Sequence, residues 1–114
     1  MRSDRQRLLD ILEAIVNIER YAEQGRDAFF QEELIQAWIV HHIQIIGEAA
    51  AHISQILREQ YPDILWTDII SMRNVLVHHY FGIDLEEIWD TVTIDIPNLK
   101  QIVKEILQEV PEDS

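Results

Sequence analysis

The chain has 114 residues, no cysteine, a hydrophobic fraction of 47% with three glycines and three prolines, and 21 acidic residues against nine basic ones, for a formal charge of −12. A disulfide framework, thiol catalysis and a thiolate zinc site are excluded, and so is a protein that coats nucleic acid at large, since that needs lysine and arginine to displace counterions. No uninterrupted apolar run reaches about 18 residues and Met1-Arg2-Ser3-Asp4 lacks a signal-peptide core, so the expectation is one soluble, cytoplasmic domain over residues 1–114, with no membrane segment and a frayed tail at 111–114.

Ser3 followed by Gln6 reads as a capping box, and Leu8, Ile11, Leu12, Ile15, Ile18 and Ala22 recur at helical spacing. This predicts a first helix from Asp4 to Gln24, ended by Gly25. Asp27-Ala28-Phe29-Phe30 reads as a short helical turn whose phenylalanines plug one end of a bundle. From Gln31 to Gln60 there is no proline and a single glycine, Gly47, which predicts one long helix ended at Tyr61-Pro62. Its apolar positions cover so much of the circumference that we expect it to be shared between its own core and a partner subunit.

On that helix His41, Glu48 and His52 fall on nearly one stripe. Two readings stand side by side: metal ligation, for which Glu and His four apart are suitable, and a polar stripe with Glu48 bonded to a neighbouring helix while Gly47 permits close approach. The polar stripe is preferred, so no metal and no cofactor are expected. His42 should be a surface residue, because it points elsewhere.

A further helix is predicted from Thr67 to His79, a turn at Tyr80-Phe81-Gly82-Ile83, and a last helix opened by a capping box of Asp84 and Glu87. That helix should continue to Val110, kinked at Pro97 with the break near Asp95, because proline removes one backbone donor. The fold class expected is all-α: an up-and-down bundle of four main helices with a short extra helical turn. Paired acids such as Glu32-Glu33 and Glu86-Glu87 read as solvated helix faces.

Chemistry concentrates in Arg73-Asn74-Val75-Leu76-Val77-His78-His79-Tyr80. An imidazole near a helix C-terminus and an arginine fork suited to phosphate oxygens form a minimal set for cleaving a phosphodiester without metal. On an ideal helix of roughly 100° per residue, Arg73 and His78 point about 140° apart. Either the arginine wraps round the helix, or the helix ends before His78, or a second subunit completes the site. Asn74 shares a face with His78 and could orient it.

Arg73, four intervening residues, His78, one residue and Tyr80 resemble the Arg-x4-His-x-Tyr signature of HepT-like proteins in the HEPN superfamily of helical ribonucleases. Trp66, Met72-Arg73-Asn74, Phe81-Gly82-Ile83-Asp84 and Ile46-Gly47-Glu48-Ala49 match its context, and the resemblance spans nearly the whole chain. It implies a HEPN-like bundle and a metal-independent endoribonuclease, the toxin of a type VII-like toxin and antitoxin pair. The ribose 2'-OH attacks the adjacent phosphate, with His78 as general acid or base, Arg73 stabilising charge, and Asn74 and Glu48 in support. It implies RNA as substrate, not DNA, and Tyr80 as acceptor of AMP from a cognate minimal nucleotidyltransferase antitoxin; the homodimer is expected from the apolar circumference of the long helix. The competing class is a non-catalytic acidic helical dimer that binds a nucleotidyltransferase or another protein.

Overall fold

The computed structural model describes residues 2–74 and 84–111, and among them every regular element is helical. In chain order these are α1 (Asp4–Ala22), α2 (Arg26–Gln31), α3 (Glu33–Ala51), α4 (Gln55–Gln60), α5 (Trp66–Ser71) with a 3-10 turn at Met72–Asn74, α6 (Leu85–Asp90), a π-helical turn at Thr91–Asp95, and α7 (Ile96–Glu109). The all-α bundle expected from the sequence is the architecture observed. The whole measures 42 × 26 × 25 Å.

Helix α1 starts as its sequence dictates, because the Ser3 side chain accepts from the Gln6 amide while the Gln6 side chain accepts from the Ser3 amide at 2.8 Å. It stops where Gly25 adopts φ +98°, a left-handed conformation that an L side chain rarely takes. The next six residues form α2, and Phe29 is fully buried with its ring stacked on Trp89 at 5.2 Å. Gln36 of α3, itself buried, donates to the Phe29 carbonyl at 2.9 Å and fastens α2 to the bundle.

The core lies between α1, α3 and the α6–α7 segment. Leu8, Ile11, Ile15 and Ile18 of α1 meet Ile39, Ile43 and Ile46 of α3 and Ile96, Val103 and Ile106 of α7, all at most 2% exposed. Burying such a side chain is worth roughly 1.5–3 kcal/mol, whereas a surface ion pair contributes about 0–1 kcal/mol, so packing dominates stability.

The single long helix expected from Gln31 to Gln60 is not what forms. Glu32 is extended, and α3 ends at Ala51, with α4 starting afresh after Ser54. Three side chains make the break. The Ser54 hydroxyl caps α4 by accepting from the Leu57 amide, and the Ser54 amide and hydroxyl donate to the Asp4 carboxylate of α1 at 2.8 and 2.5 Å. Arg58 donates to the Ala50 and Ala51 carbonyls at 3.0 Å each, which closes the exposed end of α3. The end at Tyr61-Pro62 is observed, since α4 stops at Gln60.

The helix expected from Thr67 to His79 begins one residue earlier and tightens into the 3-10 turn from Met72. Residues 75–79 of it, and the predicted turn at 80–83, lie outside the described residues. The α6 N-cap is Asp84 as expected, but its side chain accepts from the Glu86 amide at 3.0 Å, not from Glu87. The interruption expected near Asp95 takes the form of the π-turn, in which the Ile96 amide donates to the Thr91 carbonyl. Pro97 has no amide to continue the regular ladder, and one widened turn ahead of it accommodates the ring.

Candidate active site

Arg73 sits in the middle of the 3-10 turn that follows α5, and its seat is cut by Gly47 of α3. A Cβ at position 47 would lie 2.2 Å from the Arg73 backbone nitrogen and 2.9 Å from both the Arg73 Cα and the Ile70 carbonyl oxygen. Only a residue without a side chain lets the two main chains touch. Gly47 therefore fixes the position of the Arg73 backbone, which agrees with the close approach expected from the sequence.

The guanidinium emerges from that seat half exposed, with its side chain 44% accessible. Its Nη1 is 4.0 Å from Glu48 Oε2, while the other oxygen of Glu48 lies 3.2 Å from His52 Nε2. One surface carboxylate thus stands between a guanidinium and an imidazole. At these distances and exposures the contacts are loose, and an incoming phosphate can displace Glu48 from Arg73 at little cost. The spacing of four placed Glu48 beside His52, and the polar-stripe reading expected Glu48 to meet a neighbouring element; the group it meets there is Arg73, from the turn after α5.

Asn74, next to Arg73 in the chain, is exposed and lines a different feature, a groove of about 790 Å³ between the Asp63–Asn74 segment and the α6–α7 segment. Its floor is apolar, with Ile43, Ile69 and Leu99, and its rim carries Asp63, Asp68, Glu87 and Asp95. Such a rim repels phosphate. Arg73 and Glu48 are brought together, then, while Asn74 borders the acidic groove. His78 and Tyr80 lie outside the described residues.

The remaining histidines of α3 separate. His42, expected at the surface, is 6% exposed: its Nδ1 is 2.8 Å from the Trp38 carbonyl, consistent with N–H donation, and its ring packs 4.4 Å from the Trp38 ring. The reason is the groove between α1 and α3, where Trp38 also donates to the Asn17 carbonyl at 2.7 Å. His41 is exposed and touches His42 edge-on. Among the described residues no three His, Asp or Glu side chains cluster as a metal site would require.

The other cations are largely engaged elsewhere. Arg2 pairs with Asp10 at 2.6 Å, Arg26 with Glu86, and Lys100 with Glu19 at 2.9 Å. Arg5 donates to the Leu107 and Val110 carbonyls at 3.3 and 3.2 Å and caps the end of α7. The N-terminal basic cluster Arg2, Arg5 and Arg7 is accordingly not a free phosphate patch: Arg7 lines the small groove between α1 and α3 with Asp10, Glu13 and Glu48 beside it.

Residues 11–106 match the family model described as ribonuclease HepT-like. The chain is 37% identical over 100 residues to a Thermococcus cleftensis protein named probable ribonuclease HepT, covering 87% of this chain and 91% of that one. It is 36% identical over 92 residues to a Caldanaerobacter subterraneus protein provisionally named an RNase, covering 81% of this chain and 82% of the relative. A Methanocaldococcus jannaschii protein whose name joins gamma-glutamylcyclotransferase to a provisional RNase is 39% identical over 101 residues, which are 88% of this chain but 46% of that longer protein. No solved structure matches the chain.

Proposed function

Since this chain belongs to the HepT-like ribonuclease family of the HEPN superfamily, we propose that it is a metal-independent endoribonuclease whose cut is made by the substrate's own 2'-OH. The observation that carries the reading is Arg73, half exposed on a turn whose backbone is locked against Gly47. A permanently charged fork on a rigid seat is suited to a phosphorane-like transition state, because its cost of ordering is met before substrate arrives. His78 transfers a proton, and Asn74 and Glu48 support the pair.

The chain acts as the toxin of a toxin and antitoxin pair of the type VII kind. Two copies form a homodimer, which brings more than one Arg73 and His78 to the cleft. A minimal nucleotidyltransferase partner adds AMP to Tyr80, two residues from His78, and the added phosphate repels RNA and closes the site.

The test is cleavage of a single-stranded RNA, with and without EDTA, by wild type, Arg73→Ala, His78→Ala and protein carrying mass-confirmed AMP on Tyr80 after co-expression with such a nucleotidyltransferase. Wild type should release a 2',3'-cyclic phosphate in both conditions, and each altered protein should be slower by about 10²-fold or more. Equal cleavage by all samples, or by none, removes the enzyme reading. Loss with EDTA removes metal independence.

A second reading draws on one specific observation, the acidic groove, together with the charge of −12. In it the chain is a non-catalytic acidic dimer that docks a nucleotidyltransferase or another basic protein. Wild type that binds such a partner but leaves RNA intact supports this second reading.

A further inference from the structure

Glu48 is a shared residue. It meets Arg73 and His52, and it also lines a second groove, of about 330 Å³, cut between α1 and α3. Two other side chains that line this groove carry polar atoms that no described residue satisfies. Arg7 Nε is buried without a hydrogen-bond partner. His42, 6% exposed, sets Nδ1 against the Trp38 carbonyl, and because a carbonyl only accepts, that nitrogen carries the proton. The lone pair of the neutral ring then sits on Nε2, which has no donor among the described residues. Open donors and acceptors on buried side chains are costly, and a ligand or ordered water is what satisfies them.

Around these atoms the groove offers mainly acceptors. Asp10 is held by Arg2 at 2.6 Å, which leaves the exposed Glu13 of α1 and Glu48 of α3 as its available carboxylates. Ala14 and Ala49, both buried, line it from the two helices, and their small side chains leave width for a flat ring. Three carboxylates repel a phosphate but suit an uncharged planar group rich in N–H. Among nucleobases guanine fits best: N1–H and the N2 amine are adjacent donors that one carboxylate accepts in parallel, and O6 beside them takes a donor, which Arg7 or the Asn17 amide supplies. Uracil offers a single N–H between two carbonyls, and adenine and cytosine each set an amine beside an acceptor nitrogen.

We propose that this groove is a base-recognition subsite, which takes guanine from one of the two nucleotides that share the phosphate at Arg73, with Glu13 as the specificity-determining carboxylate. This deepens the ribonuclease reading and rests on it. Glu13 accepts from N1–H and the N2 amine, and the second amine hydrogen is left for the open lone pair of His42. The groove adjoins the phosphate site, since Glu48 borders both. When a phosphate takes Arg73, Glu48 is released, and the donor edge of the base gives that carboxylate a new partner. Phosphate binding at Arg73 and base binding in the groove thus support each other.

The experiment compares wild type, Glu13→Gln and Glu13→Asp on short single-stranded RNAs that differ only in the bases flanking one cut: guanine, adenine, uracil, cytosine or hypoxanthine. For wild type, kcat/KM should be about 10-fold or more higher with guanine on one side of the cut than with uracil there. Hypoxanthine, which lacks the N2 amine, should fall between them. Glu13→Gln should lose the preference while cutting the uracil substrate as wild type does, and Glu13→Asp should keep part of it. In NMR titrations of wild type, guanosine 3'-monophosphate should shift the amide signals of Glu13, Asn17 and His42 more than uridine 3'-monophosphate does. Active wild type without a guanine preference, or with one that Glu13→Gln leaves intact, overturns the groove assignment and leaves the ribonuclease reading standing. Shifts at these residues with argininamide and none with either nucleotide assign the groove to a cationic side chain and overturn the proposal. Wild type that cuts none of the RNAs overturns the ribonuclease reading, and the nucleotide titration then decides guanine binding in the groove by itself.

Discussion

Gly47 shows how one residue sets the backbone of a candidate site from behind it. The atoms that a Cβ would strike are main-chain atoms of Arg73 and Ile70, which cannot swing aside as a flexible side chain would. Gly47→Ala should therefore destabilise the fold by roughly 1–3 kcal/mol, the range for overpacking a filled interior. It should also lower RNA cleavage in the fraction that remains folded, because α5 and the 3-10 turn must shift. Thermal unfolding followed by circular dichroism, with cleavage assayed well below the midpoint, checks both. An alanine variant as stable and as active as wild type would mean that the seat is not rigid. This part of the site was legible in the sequence, since a lone glycine in a long apolar helix signals close approach. His42 was not legible: two adjacent histidines look alike until a neighbouring helix covers one of them. Its buried place is created by α1, through the Trp38 bond to Asn17.

At the scale of elements, periodicity located every helix in the described residues but overran one break. The division between α3 and α4 depends on Asp4, 50 residues before Ser54, and no local pattern announces a partner so distant. Ser54 was the one local sign, as a residue of the kind that caps helices. Asp4→Asn should keep the side chain's shape while weakening both bonds to Ser54, and Ser54→Ala removes one bond and the cap together. We expect losses of about 1 kcal/mol for the first and 1–2 kcal/mol for the second, less than additive in the double variant because they share an interaction. Urea unfolding of the set measures this, and strict additivity would show that the two residues do not cooperate. The π-turn before Pro97 was easier to foresee because its cause is local, a single missing amide.

For the whole molecule the decisive quantity is the distribution of its nine cations, not their number. Arg2, Arg26 and Lys100 have carboxylate partners, and Arg5 and Arg58 close helix ends. Few remain to meet a phosphate chain. RNA binding should therefore depend weakly on salt: each phosphate neutralised on a single strand contributes a slope of about −0.7 to log K against log salt, and we expect no more than about two such contacts per subunit. Fluorescence titration of an RNA whose scissile 2'-OH is replaced by 2'-O-methyl, across a salt series, reads this slope, and a value typical of many contacts would require a basic surface that the described residues do not offer. The seat of Arg73 has one more outcome at this scale. It is formed by main chain against main chain, so the shape there is indifferent to which side chain stands at 73. A copy that has exchanged its arginine for something inert keeps the family outline and, if subunits pair as proposed, enters mixed assemblies in which one silent member handicaps its sound companion.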